Sequence, residues 1–444
     1  MYFLIMKTQR SILKIYFIIL LINCASCKKT KDTSHEEFYN HSINHWNWTL
    51  TDVIIQDIFT PPVASRAYAY PHIAAYEILI LDHPSYRSYA GQLNGFTEIP
   101  LPADSIFAPL SAMVAFAEVA KGMVFLKDAM EKRKEDFLHK AAAYHSETLL
   151  KVSVLYGKTV AEHILHWAND DGYRDRERMP RYVLSDDPGA WQPTPPDFMP
   201  GIEPHWSTLR PFVLNSADQF KPLPPTLFDT LSNSDFYYEC LEVKNMVDTS
   251  NEEMTNIAKF WDCNPNISYT RGHMKLFFQK ISPGGHWMSI ASIASMKENI
   301  SLIEKSRIFS LAAIAMADAF ISCWDEKYRS NLIRPQTYIN RYIDEDWEPL
   351  LQTPAFPEHT SGHSVVSATA ATILTELMGE INFTDTTEVR FGLPERSYDS
   401  FYEASNEAAI SRLYGGIHYR PAIEYGIDQG KSVANYILSE VKTK

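Results

Sequence analysis

Apolar residues recur at i, i+3, i+4 and i+7 in "DFLHKAAAYHSETLLKVSVLYGKTVAEHIL", "ILHWANDDG", "SRIFSLAAIAMADAFISCWDEKYRSNLI" and "SVVSATAATILTELMG", a spacing that gathers them on one face of an α-helix. No stretch alternates with the period of two that a half-buried strand shows. The pattern therefore predicts an all-α chain. From Met179 onward it gives way to "PGAWQPTPPDFMPGIEPHW" and "PFVL…KPLPP", too dense in proline for the interior of a helix or sheet. Trp191, Phe198, Trp206 and Phe212 give this stretch apolar anchors that a flexible linker lacks, so it is expected to be an ordered wrap. The expected organisation is an N-terminal helical half over 41–178, a proline-rich connector over 179–230 and a C-terminal helical half over 231–444.

Ahead of these stands a targeting segment. Lys7, Arg10 and Lys14 precede "IYFIILLI", a run shorter than the ~20 residues of a spanning helix, and Met6 is a second candidate start. Ala25 and Ser26 before Cys27 resemble a bacterial lipobox, with Cys24 where leucine is usual. The expectation is a signal peptide over 1–27, a lipid anchor on Cys27, a polar tether over 28–40 and export to the periplasmic or surface face of the outer membrane. The 444 residues carry a net charge of -13 with no basic block, so a nucleic-acid role has no electrostatic footprint and any anion site must be a local exception. Cys240, Cys263 and Cys323 are an odd set that cannot form a disulfide framework. A Cys240–Cys263 bridge and buried free thiols both remain open.

Three short segments carry the chemistry. In "SRLYGGIHYRPA" a continuous helix would set Arg412 and His418 on different faces, but Gly415 and Gly416 break helices and supply positive φ. A helix end, a glycine bend and a second element would bring the two together. In "KYRSNLIRP" Lys327 and Arg334 are seven apart, within roughly 20° of one direction on a helix, and Pro335 suits a terminus there. In "FPEHTSGHSVV" Thr360 or Ser361 can cap a helix whose free N–H groups, with Gly362 opening the approach, suit an anion beside His363. Taken singly, each is ordinary: a cationic face, a capped helix, a surface arginine. Together they fix nine positions in order, at about one in twenty each, and converge on one oxyanion held by Lys327, Arg334, Arg412, Ser361 and Gly362 between His363 and His418.

This pattern resembles the superfamily that joins vanadium-dependent haloperoxidases with type 2 phosphatidic acid phosphatases and bacterial acid phosphatases. The wrap, "KFWDCNP" and "GGHW" are similar to bacterial haloperoxidases, notably those of Bacteroidetes. The resemblance implies two helical bundles and vanadate bonded to His418 Nε2, its oxygens neutralised by Lys327, Arg334 and Arg412 with Ser361 and Gly362. It also implies that His363, with an unperturbed pKa near 6.5, moves protons while hydrogen peroxide oxidises halide, iodide first, to hypohalous acid. Trp324 and Phe356 match positions on the halide side and read equally well as core aromatics. The family pattern continues to an aspartate four residues after the last histidine, where this chain has Ala422. Glu424, Asp428 or a backbone carbonyl would have to orient His418. A phosphatase using His418 as nucleophile and His363 as acid shares the same motifs, and a non-catalytic anion-binding lipoprotein is the third reading. The lipid phosphatases span the membrane several times, and no uninterrupted apolar run here reaches ~20 residues.

Overall fold

The computed structural model describes residues 35–265, 267–271, 273–277 and 279–444, so the signal segment and Cys27 lie outside the described residues. The first helix, α1, is already formed at 35 and runs to 56. It takes in the end of the expected tether because Tyr39 is buried in the core. α2 (Pro61–Leu79), α3 (Ala108–Met123), α4 (Lys127–Ala141) and α5 (Glu147–Asn169) complete the first half. The long period in "DFLHKAAAYHSETLL" is two helices: Ser146 accepts the Leu149 N–H and starts α5 afresh, the saving an N-cap provides.

The second half holds α6 (Asp235–Asp248), α7 (Glu252–Phe260), α8 (Pro283–Lys297), α9 (Leu302–Ser330), α10 (Pro335–Tyr342), α11 (Gly362–Met378), α12 (Phe401–Tyr414) and α13 (Arg420–Glu440). Two antiparallel hairpins interrupt it, β1 (Ser268–Arg271) with β2 (Met274–Phe277) and β3 (Phe383–Asp385) with β4 (Arg396–Tyr398). The hydrophobic pattern missed them because strands of three or four residues are too short to display a period of two. α9 is long and apolar enough to cross a membrane, which the search for uninterrupted runs overlooked, but 94% of its apolar window is buried inside the protein. It packs on α2 as well as α11, so one hydrophobic core runs through both halves.

The connector is ordered, with Trp191, Trp206 and Phe212 buried as expected, whereas Phe198 is 62% exposed and anchors nothing. Its N–H groups at Phe212, Val213 and Leu214 donate to the Asp318 carboxylate inside α9 at 2.6, 2.8 and 3.0 Å. Burial raises that carboxyl to about 6 against the pull of those three bonds. Further along, Gly189 O accepts from Ile333 N–H and Trp191 N–H donates to Asn331 O, so the wrap clamps the turn that follows α9. Two glycines of α13 let it lie against α11: a Cβ on Gly430 would come within 2.1 Å of the Val365 carbonyl, and one on Gly426 within 3.1 Å of the Ser361 carbonyl. This close approach seats the first turn of α11, where the third motif lies.

Candidate active site

Lys327 and Arg334 do not share a helix. Asn331, at φ 47°, ends α9, and Arg334 is the N-cap of α10 with Pro335 behind it. The two cations converge because the chain turns back between them. Lys327 Nζ donates to the carbonyls of Pro357, Glu358 and Thr360 at 3.1, 3.1 and 2.5 Å. Arg334 donates from Nε to Phe356 O and from Nη1 to Ile417 O, and both side chains are fully buried. Burial lowers Lys327 to about 7 and Arg334 to about 10, and the Glu358 carboxyl nearby offsets only part of this, the direction expected when desolvation outweighs the attraction of a counter-charge.

Ser361 caps α11, accepting the Ser364 N–H, and places Gly362 and His363 in its first turn. His363 donates one ring N–H to the Trp261 carbonyl, which leaves Nε2 buried without a partner. Its pKa is not the unperturbed one. Burial, then Arg412, push it well below 6.5, so the imidazole is neutral with a free lone pair.

The glycine bend forms as "SRLYGGIHYRPA" predicts. α12 ends at Tyr414, Gly416 takes φ 75°, and Ile417 N–H returns to the Arg412 carbonyl. Arg412 Nη2 donates to the carbonyls of Ala258 and Trp261 at 3.2 and 2.7 Å. The acceptor that orients His418 is none of those expected. Glu424 and Asp428 are exposed, and the Ala422 carbonyl is taken by Ser361 N–H. Glu358 does this work, with Oε1 2.7 Å from His418 Nδ1 and also accepting Tyr419 N–H at 2.9 Å. Burial raises Glu358 to about 8 against the pull of Arg334 and Lys327, and its Oε1 accepts both N–H groups. Nδ1 therefore holds the proton and Nε2 keeps its lone pair, facing Arg334 Nη1 at 3.2 Å. Burial, then Arg334 and Lys327, hold His418 well below 6.5 and neutral.

Trp324, Phe356, Gly362, His363, Arg412 and His418 line one narrow pocket of about 20 Å³, together with Phe320, Ile417, Pro61, Pro283 and Pro354. Lys327, Arg334 and Ser361 stand behind this lining, Lys327 and Ser361 beside Gly362 and Arg334 against His418. The Trp324 and Phe356 rings pack 5.0 Å apart, with Trp324 Nε1 donating to Ile202 O in the connector. Asp262, Cys263 and Asn264 of "KFWDCNP" also face the pocket, a placement that no local spacing in the sequence signals. Cys240, Cys263 and Cys323 are all free and buried, so the bridge does not form.

The family model of the VCPO second helical-bundle domain matches residues 307–346 and 341–444. No curated protein matches the sequence. Among solved structures, a bacterial vanadium-dependent iodoperoxidase aligns with a TM-score of 0.87 and 47% identity over 91% of this chain and 97% of its own. The chain belongs to the vanadium-dependent haloperoxidases. A bacterial vanadium-dependent chloroperoxidase shares the haloperoxidase fold at 15% identity, with TM-scores of 0.64 in the apo form, over 87% of this chain and 96% of its own, and 0.63 in the holo form, over 86% and 94%. The haloperoxidase cofactor is vanadate, and the residues present fit it. The three buried cations have only carbonyls, the Ser411 hydroxyl and His418 as hydrogen-bond partners among the described residues. Arg334 Nη2 and His363 Nε2 are buried without any partner. A Cβ on Gly362 would stand 3.6 Å from Trp324 and 3.9 Å from the Lys327 side chain, in the space an anion would use.

Proposed function

We propose that this chain oxidises iodide in preference to bromide and chloride, using hydrogen peroxide and a vanadate held at His418. The observation that carries the site assignment is the neutral His418 with its Nε2 lone pair fixed by Glu358 and turned toward buried, incompletely compensated cations. The choice of iodide rests on the 47% identity to a protein described as an iodoperoxidase, with Trp324 and Phe356 as an apolar wall that favours a large, weakly hydrated anion.

Bound vanadate supplies a Lewis acid that activates the peroxide. Lys327, Arg334 and Arg412 neutralise its oxygens, and each regains in that way part of what burial cost it. Ser361 and the first N–H groups of α11 donate to the same anion. Glu358 holds the His418 tautomer, as carboxylates do behind metal-bound imidazoles. His363 Nε2 accepts a proton as peroxide enters and returns it to the departing oxygen. An anion beside it raises its pKa from the depressed value, so proton transfer is confined to the loaded site.

Steady-state assays with each halide at saturating peroxide between pH 6 and 8, on vanadate-loaded protein, test the reading. Iodide turnover at least tenfold above bromide is expected. Comparable bromide turnover would remove the iodide preference, and p-nitrophenol release without halide oxidation would replace the peroxidase by a phosphatase. We further propose that Cys27 carries a lipid anchor, as the "CASC" segment and the preceding apolar run suggest. Cys27→Ser should then leave the membrane fraction, and its retention there would point to an uncleaved signal helix.

A further inference from the structure

Three segments around the pocket also meet in a second cluster that the peroxidase reading does not use. Cys263 lies in the loop after α7, His286 in the first turn of α8 and Glu388 in the turn after β3, and they are 1%, 0% and 4% exposed. Cys263 Sγ is 3.1 Å from His286 Nδ1, Glu388 Oε1 is 3.5 Å from the same nitrogen, and the three donor atoms all lie within 4.8 Å of one another.

Two independent features mark the cluster as a ligand site. Glu388 Oε1 is buried, has no hydrogen-bond partner and faces His286; a carboxylate oxygen left so incurs a desolvation penalty that only a cation or a donor offsets. The other nitrogen of His286, Nε2, is 2.6 Å from Asp385 Oδ2, and Asp385 Oδ1 is in turn fixed by the Thr387 N–H at 2.9 Å. A carboxylate behind the far nitrogen is the arrangement that sets the tautomer of a metal-binding imidazole. It leaves Nδ1 to face Cys263 and Glu388, where a bound cation would replace the proton that these acidic neighbours favour. The Trp261 ring stacks on the imidazole at 4.6 Å and 18°, covering its face.

We infer that Cys263 Sγ, His286 Nδ1 and Glu388 Oε1 bind a divalent cation of the zinc class. One thiolate, one imidazole and one carboxylate are the donors zinc accepts, and calcium or magnesium would not take the sulfur. On binding, the thiol releases its proton to solvent, the carboxylate enters ionised, and three protein ligands leave a fourth position for water. The cation would clip three segments distant in sequence. It would also brace the oxyanion pocket from behind, because Cys263 lines that pocket and the carbonyl of Trp261, two residues earlier, holds both Arg412 and His363. This role is independent of which halide is oxidised.

The full chain, grown with added zinc and dialysed against metal-free buffer, should hold about one zinc per chain by elemental analysis, with vanadium measured in the same samples. Glu388→Gln keeps the shape of the side chain and should bring zinc below roughly a tenth of an equivalent, with the vanadium content reduced by no more than about threefold. Cobalt replacement should give a thiolate-to-cobalt charge-transfer band that Cys263→Ser lacks. If Cys263→Ser does not fold, the zinc content of Glu388→Gln and of His286→Gln decides the matter. Wild-type protein with less than about a tenth of an equivalent of zinc, or full zinc retention in Glu388→Gln, would overturn the inference.

Discussion

The two helical halves are built alike from amphipathic helices, yet they treat buried charge in opposite ways. In the first half each buried cation meets a carboxylate: Arg66 Nε is 2.6 Å from Asp171, and Lys134 Nζ is 2.5 Å from Glu118. In the second half Lys327, Arg334 and Arg412 are buried at least as deeply and point at main-chain carbonyls. The histidines differ in the same manner. His72 in α2 rests against the Asn47 side chain, a neutral neighbour within a neutral core, whereas His418 stands between Glu358 and the cations Arg334, Lys327 and Arg412. A buried ion pair is closed, and removing one partner costs about 3–5 kcal/mol. Incompletely compensated cations are a cost the fold bears for an anion it does not itself contain. The first half is therefore a scaffold and the second a socket.

The largest expected effect lies at the socket. His418→Ala should abolish vanadate binding and reduce halide oxidation at least about 10³-fold, whereas His363→Ala should still bind vanadate, weakened, while turnover is lost. Vanadium content set beside steady-state rates separates the two, and full peroxidase activity in His363→Ala would reverse the roles. Next comes a pair of substitutions with opposite signs. Arg66→Met should destabilise the protein by about 3–5 kcal/mol because the Asp171 carboxylate is left buried without its cation, while Lys327→Met should stabilise the anion-free protein by about 1–4 kcal/mol. Denaturant titration measures both. Vanadate at a hundred times its Kd should add about 2.7 kcal/mol to the wild type and nothing to Lys327→Met. Equal signs in the two variants would break the comparison.

Glu358→Gln keeps the side-chain shape but not the acceptor charge that fixes the His418 tautomer, and should weaken vanadate binding about 10–100-fold. Isothermal titration reports it. The last effect belongs to the scaffold and vanishes at neutral pH. Burial lowers His72 from 6.5 to about 3, so the unfolded chain takes up a proton below pH 6.5 that the folded chain refuses. Stability from this group is complete above pH 6.5 and is lost as pH falls toward 3, by about 1.4 kcal/mol per pH unit. His72→Gln should remove that slope from the acid unfolding curve. An unchanged slope would place the proton elsewhere.

The helical class, the proline-rich wrap and the three motifs were legible because each is a local property of the chain. Period 3.6 follows from side-chain geometry along one helix, proline density from φ, and the glycine bend at 415–416 from two residues that break a helix. The nine motif positions read in order along the sequence, and the structure lines one pocket with Gly362, His363, Arg412, His418, Trp324 and Phe356 and sets Lys327, Arg334 and Ser361 directly behind them. What local reading misjudged were quantities set by neighbours distant along the chain. Lys327 and Arg334 converge through a turn at Asn331 that a helical wheel cannot show. Phe198 is as apolar as Phe212 and still ends at the surface.

Ala422 directed the search for a His418 partner forward along the chain, and the partner proved to be Glu358, sixty residues back. Nothing in "FPEHTSGH" separates Glu358 from any exposed acid; only the packing of the α12–α13 bend against the loop before α11 decides that its carboxylate meets an imidazole. The pKa of His363 shows the same division. Its residue type promises a group that titrates near neutrality, and its burial beside Arg412 in this fold removes the proton. The sequence by itself determined which chemical groups are present and which helices carry them, because those depend on residue type and spacing. Tertiary structure alone decided which groups are desolvated, which are paired and which are left facing an empty pocket, because desolvation and charge proximity are set by contacts between segments far apart in the chain.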